Sequence, residues 1–218
     1  MDSTELAQKL DKLGTTALSD ALDRLGIDGQ VIGISPVIRT MRFAAQAYTV
    51  QMLPVGRTGG SVGDYIDEVK PGQVVVIAND GLMDATVWGD ILTWVASERG
   101  ITATVIDGVC RDSDRCVELG YPVFSRGSTM RTGKDRVTAH AYNVPVRIAG
   151  IRVEPWDWLV GDADGVVVLP QDKVEELICI AEEVEAAEDW IRDRVKNGQR
   201  LDEARKETGY HNLQTREA

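Results

Sequence analysis

Residues 73–125 read QVVVIANDGLMDATVWGDILTWVASERGITATVIDGVCRDSDRCVELGYPVFS, and the alternation inside this stretch decides the fold class. QVVVIA (73–78) is an unbroken apolar run of strand length, the pattern of a strand covered on both faces. From Trp88 to Arg99 the period becomes helical. Ile91, Leu92, Val95 and Ala96 fall on one side, and Gly100 supplies a stop. ITATVID (101–107) is the next strand, DSDRCVEL (112–119) a short helix ending at Gly120, and PVFS (122–125) a third strand. Strands that alternate with helices in this way predict an α/β fold with a partly parallel central sheet.

Outward from this centre the elements become simpler. Residues 4–25 carry two apolar stripes, Leu6, Leu10 and Leu13, then Ala17, Leu18, Ala21, Leu22 and Leu25, and Gly14 breaks them into two short helices. A strand is expected from Phe43 to Leu53, followed by the Gly-rich loop VGRTGGSVG (55–63), the short helix DYIDEVK and a Pro71-Gly72 turn. Beyond Val137 the texture is short β segments: VTAHAY, VPVRIAG, IRVEP, WLVG and GVVVLP. One long helix is expected over 171–197, with Val174, Leu177, Ile178, Ala181 and Val184 on its apolar side. The expectation is a single domain over 1–198 and a polar tail over 199–218 that packs on a neighbouring subunit or stays mobile. There is no internal repeat.

Composition narrows the function classes. The 218 residues carry 24 Lys and Arg against 35 Asp and Glu, a net charge of −11. Such a surface repels phosphate backbones, so neither nucleic acid nor an anionic membrane is expected as a partner. No apolar run approaches the ~20 residues of a membrane span, and the charged start MDSTELAQKLDKL does not resemble a signal peptide. Cys110, Cys116 and Cys179 are odd in number and follow no CxxC spacing, which fits free thiols and a cytoplasmic protein.

Few residues carry recognisable chemistry. The two histidines, His140 and His211, pair with no obvious nucleophile. The stretch 56–63 lacks both the Lys-Ser/Thr ending of a P-loop and GxGxxG spacing. GDADG (161–165) opens like a calcium loop without the later acidic ligand, and reads as a turn between strands. The informative pair is WGDIL (88–92) with DGVCRD (107–112). The first begins a helix, where Gly89, Asp90, Ile91 and Leu92 have backbone amides without internal partners and a positive dipole end suited to a carboxylate. The second follows a strand at the sheet edge where ligands gather. There Arg111 offers a guanidinium for a carboxylate or an oxyanion. Asp112 offers one hard oxygen donor, enough for Mg²⁺, which retains most of its waters. Structural roles stand beside these. Asp112 and Asp90 are each placed to cap the helix they begin, and Arg111 to form a surface ion pair.

Asp90, Arg111 and Asp112 form the arrangement D-x20-R-D. With 35 acidic residues in 218, about one Arg-Asp pair in six would have an acidic residue 21 places upstream by chance. The other such pair, Arg192-Asp193, has Gln171 there. The arrangement resembles the motif of the RraA-like family, which includes the 4-hydroxy-4-methyl-2-oxoglutarate / 4-carboxy-4-hydroxy-2-oxoadipate aldolases. TALSDAL (16–22), PGQVVVIANDG (71–81), DGVCRD, PVFSRG (122–127) and GDADGVVVLP (161–170) resemble further family landmarks. One departure is Trp156 in Pro155-Trp156-Asp157, where the family has glycine. A tryptophan does not take positive φ cheaply, so the turn there is expected to differ.

The resemblance implies a swivelling β/β/α-type sandwich, assembled as a homotrimer or hexamer with sites between subunits. It also implies a small 2-oxo acid substrate whose carboxylate lies on the amides of Gly89, Asp90, Ile91 and Leu92. Arg111 would contact the keto oxygen and Asp112 would ligate Mg²⁺ or Mn²⁺. Asp90 would reach the cation's waters, and Glu188, or Glu185, of a neighbour's C-terminal helix would complete the site. The chemistry so implied is metal-dependent aldol cleavage of a 4-hydroxy-2-oxo acid to pyruvate. Loss of CO₂ from oxaloacetate gives the same enolate, so decarboxylase activity is expected too. A rival reading from the same resemblance is a protein that binds and inhibits a ribonuclease; such members tend to lack the full D-x20-R-D set. Methyltransferase chemistry has no support, because no glycine-rich nucleotide loop precedes a helix in the required place.

Overall fold

The structure, a computed structural model, describes residues 2–56 and 60–210. In chain order these form α1 (Ser3–Leu25), β1 (Gln30–Val31), β2 (Ser35–Pro36), β3 (Phe43–Pro54), a 3₁₀ turn (Asp64–Glu68) and β4 (Gln73–Thr86). Then come α2 (Asp90–Glu98), β5 (Ala103–Cys110), α3 (Ser113–Leu119), β6 (Val123–Ser128) and β7 (Val137–Tyr142). The chain continues with β8 (Val146–Ile148), β9 (Ile151–Val153), β10 (Trp158–Asp162), β11 (Gly165–Leu169), α4 (Val174–Lys196) and α5 (Leu201–Thr208).

The fold is α/β. Its main sheet has the order β1-β11-β10-β3-β4-β5-β6-β2, with β7 paired to β3 off this path. The β3–β4, β4–β5 and β5–β6 pairs are parallel and the flanking pairs antiparallel, so the sheet is partly parallel as the 73–125 alternation predicts. The four parallel strands explain that run's composition. Val74, Val75, Val76, Ile77, Val105 and Ile106 are wholly buried, and each such aliphatic side chain contributes about 1.5–3 kcal/mol on removal from water.

A second apolar cluster joins α1 and α4 to β10 and β11. The two stripes of α1 meet the sheet only because the helix turns at Gly14, whose φ of 74° and ψ of 177° interrupt it. The DADG turn explains why the break is placed there. Asp162 on β10 accepts the Thr15 amide at 2.8 Å and the Thr15 hydroxyl at 2.7 Å, and its other role is to hold the Asp164 amide in the β10–β11 turn. The GDADG segment is thus a turn with a tether.

Three local features differ from the sequence reading. First, β4 does not stop at Ala78 but runs to Thr86, because its last part bulges past β5. Ala78, Leu82 and Thr86 pair with the consecutive Asp107, Gly108 and Val109, and Asp80 and Gly81 take φ of 50° and 68° in the bulge. Asn79-Asp80-Gly81 reads as a turn signal in the sequence because it is one, inserted within a strand. Second, residues 201–208 of the polar tail are helical, and α5 packs against α4 of the same chain. Third, Trp156 does adopt φ of 75°. Its amide donates to Ala47 O at 3.0 Å, its carbonyl accepts Gln46 Nε2 at 3.2 Å, and Lys70 Nζ lies 5.0 Å from its ring centroid. The turn therefore keeps the glycine-like geometry with a tryptophan in it. Among the described residues, no helix is long and apolar enough to cross a membrane.

Candidate active site

The bulge in β4 has a consequence at its far end: it returns the chain beside the end of β5. Val87 N–H donates to Val109 O at 3.3 Å and Arg111 N–H to Trp88 O at 2.9 Å, which places Gly89 against Arg111 and Asp112. Trp88 anchors this turn. It is buried, stacks on Tyr121 at 6.1 Å between centroids, and donates Nε1 to Thr93 Oγ1 at 2.9 Å. The Thr93 hydroxyl in turn donates to Gly89 O at 2.9 Å. The start of α2 is thus fixed from beneath by an indole and a hydroxyl.

Asp112 caps neither the helix it precedes nor itself. As the residue before α3 it makes no side-chain cap. Its Oδ2 instead accepts the Asp90 amide at 3.1 Å, across the chain at the N-terminus of α2, and lies 3.2 Å from Arg111 Nε. Reaching that position requires φ of 53° and ψ of 40° at Asp112, a left-handed conformation that aspartate tolerates better than most residues. Nor does the Asp90 carboxylate cap α2, whose N-cap is Gly89. Gly89 is held in close quarters: a Cβ there would lie 3.0 Å from Asp112 Oδ2 and 3.1 Å from Arg111 Nε. The Arg111 and Asp112 side chains remain 39% and 40% exposed. A pair so open to water contributes at most about 1 kcal/mol to stability, so the left-handed backbone is not explained by the ion pair.

These groups border a cleft of about 480 Å³ lined by residues 60–63, 86–92, Arg111 and 132–134. With the Asp90 amide engaged by Asp112, the amides of Gly89, Ile91 and Leu92 have no hydrogen-bond partner among the described residues. They are the donors left for an anion at this helix end. Asp112 Oδ1 is likewise without a hydrogen bond there. A free carboxylate oxygen beside an open cleft, with Asp90 close by, suits a divalent cation that keeps most of its water.

The rest of the lining was not read from the sequence in full. Residues 60–63 of the Gly-rich loop belong to it, while 57–59 lie outside the described residues. Thr132 and Lys134 were missed. The segment carrying them runs beside the end of β4, where Thr86 N–H donates to Arg131 O at 3.1 Å and Thr86 bridges Thr132. The exposed Lys134 ammonium has no ion pair among the described residues. Nothing periodic marks this segment, so only the fold shows that its cation lines the same cleft as Arg111.

Glu188 and Glu185 line no part of the cleft of their own chain. Glu188 accepts Arg192 Nη2 at 2.6 Å and the Tyr210 hydroxyl at 3.0 Å, beside α5. His140 is also outside the cleft, and His211 lies outside the described residues. Cys110 and Cys116 are buried, and burial raises both thiols above their ordinary range, leaving them poor nucleophiles.

The family model described as RraA-like, Aldolase/RraA, matches residues 15–168. The chain belongs to the RraA-like family. Protein DlpA of Legionella pneumophila is 36% identical over 208 residues, covering 94% of this chain and 34% of that protein. The present RraA-like chain thus spans about a third of DlpA. A Halalkalibacterium halodurans protein named "Putative 4-hydroxy-4-methyl-2-oxoglutarate aldolase" is 33% identical over 180 residues, 83% of each chain. The crystal structure of Streptomyces coelicolor RraAS2, described as an unusual member of the RNase ES inhibitor RraA protein family, superposes with a TM-score of 0.81. It is 30% identical, over 88% of this chain and 97% of that one. Relatives of the RraA-like chain therefore carry both an aldolase name and an inhibitor name.

Proposed function

We propose that this RraA-like chain is a divalent-metal-dependent lyase that cleaves a 4-hydroxy-2-oxo acid to pyruvate and a second carbonyl compound, and that also decarboxylates oxaloacetate. One observation carries the reading: Arg111 and three unpartnered amides of the α2 N-terminus line one cleft, and Asp112 is held beside it against Arg111 Nε and the Asp90 amide. Asp112 Oδ1 would hold Mg²⁺ or Mn²⁺. When bound, the cation would supply a Lewis acid for the oxygens of the 2-oxo acid.

The chain's own residues account for the remaining steps. The amides of Gly89, Ile91 and Leu92 bind the substrate carboxylate and orient it. Arg111 directs its guanidinium at the keto oxygen. As the C3–C4 bond breaks, its electron pair moves to form the enolate of pyruvate, and the negative charge develops opposite that guanidinium. Asp90, acting through a water, accepts the proton from the C4 hydroxyl, which becomes the carbonyl of the leaving product. The same proton then returns to C3. Lys134, which lines the same cleft and has no ion pair among the described residues, favours a substrate with a second anionic group on C4. The reading includes a homotrimer or hexamer, with Glu188 of the partner subunit approaching the cleft.

The test is pyruvate release across a panel of 4-hydroxy-2-oxo acids and oxaloacetate, with Mg²⁺ or Mn²⁺ present. Turnover should vanish with chelator and return with either ion. The inhibitor name borne by a structural relative supports the rival, a regulator that binds a ribonuclease. Absence of turnover on the whole panel, together with a stoichiometric complex with a ribonuclease, would favour that rival and reject the lyase.

A further inference from the structure

A second cavity, of about 410 Å³, lies where the β8–β9 hairpin meets β4, β5 and β6, and shares no lining residue with the cleft. Its chemistry comes from Arg126, Arg147, Asp80 and Asp107. Asp107 is only 7% exposed and is used up within the chain: Oδ1 accepts Arg126 Nε at 2.5 Å and Oδ2 accepts the Ala149 amide at 2.9 Å. That ion pair fixes Arg126 but occupies one of its five N–H donors. Nη1 and Nη2 of Arg126, and the whole guanidinium of the exposed Arg147, have no hydrogen-bond partner among the described residues.

The backbone is built around the fixed guanidinium. A Cβ at Gly33 would lie 2.9 Å from Arg126 Nη1, and the rim residues Asp80 and Ala149 hold left-handed φ of 50° and 48°. Strain of that kind persists where the surroundings over-determine it, and ligand clamps are one such place. In a chain of net charge −11, two guanidiniums with open donors on one cavity form a local anion site. The carboxylate of Asp80, also without a hydrogen bond or ion pair among the described residues, defines what kind. It repels a bare anion and accepts a hydrogen bond from one that carries its own O–H.

We infer that this cavity binds a small oxyanion bearing an O–H donor, such as hydrogen phosphate or a 2-hydroxycarboxylate. Arg126 and Arg147 donate to its anionic oxygens and the Asp80 carboxylate accepts the hydrogen bond from its O–H. The site stands apart from the lyase reading and is tested by binding alone.

The experiment is calorimetric titration of the full chain at near-neutral pH with inorganic phosphate against sulfate, and with glycolate against acetate. An Arg111→Ala, Lys134→Ala background removes the cations of the cleft. Phosphate and glycolate should each bind about tenfold or more tightly than the partner anion lacking O–H, with the two arms ranking the sources. Arg147→Ala should weaken phosphate at least about tenfold, since a charge-assisted contact is lost. Asp80→Asn, which keeps a side chain tolerant of left-handed φ and adds a donor, should bring sulfate up to the level of phosphate. Equal binding of phosphate and sulfate by the wild-type chain, no binding by either, or binding that survives Arg147→Ala would overturn the inference. So would binding that disappears with the cleft cations.

Discussion

The two walls of the cleft were made by different means. One wall, residues 88–92 with Arg111, is built from consecutive strand–helix units of a parallel sheet and is held by backbone bonds of 2.9–3.3 Å from Val87 and Arg111 to Val109 and Trp88. The other wall, residues 60–63 and 132–134, comes from a Gly-rich loop and a connection between strands. Its Lys134 is exposed and free of an ion pair among the described residues. The contrast teaches a division of labour. On the proposed lyase function, the chemistry that needs a fixed geometry would stand on the sheet, where misplacement is costly. Selection among substrates would then fall to segments whose side chains need only present a charge.

Substitutions can break that division or sharpen it. The largest effect is expected at Arg111. Arg111→Ala should lower kcat on the best substrate of the panel by about two to three orders of magnitude, the scale of losing an oxyanion stabiliser, with the far-UV spectrum and Tm unchanged. Asp112→Ala should abolish the response to added Mg²⁺. Near wild-type turnover in either variant would remove that residue from the chemistry.

Gly89→Ala comes next. Its new Cβ would press on Asp112 Oδ2 and Arg111 Nε, and a displacement of a fraction of an ångström to 1 Å should cost about tenfold to a hundredfold in kcat. A fall in KM-controlled rate alone would show that the wall tolerates movement. Lys134→Ala should act on the other side of the division. KM for substrates with an anionic C4 group should rise about tenfold at little change in kcat, the signature of uniform binding, while substrates without that group are unaffected. A large kcat effect would erase the distinction between the walls.

Trp156→Gly lies far from both and should change least. Relief of a left-handed residue is worth about 1–2 kcal/mol, and loss of the Lys70–Trp156 contact costs about 0.5–1 kcal/mol. Tm should therefore stay within a few degrees, with activity unaltered.

The legibility of the chain follows the same line. The α/β alternation, the break at Gly14 and the stop at Gly100 were readable because each rests on local spacing, whereas Asp90 was grouped with Arg111 and Asp112 through the family resemblance. Residues 79–86 were not, since an Asn-Asp-Gly turn inside a strand has the same local signal as a turn between strands. Trp156 shows the reverse failure. The residue type argued against a left-handed turn, and three contacts from Ala47, Gln46 and Lys70 hold one there. Glu188 was placed by resemblance, and within its own chain it answers Arg192 and Tyr210.

What residue order determined is whatever depends on neighbours in the chain: helix periods, strand runs, glycine stops and the adjacency of a guanidinium to a carboxylate. Only the tertiary structure decided that Asp112 turns away from α3 to take the Asp90 amide, that Lys134 and Arg111 line one cleft, and that Arg126 and Arg147 share a cavity. Those relations join atoms many residues apart, and their distances follow from how the strands register, which no local pattern encodes.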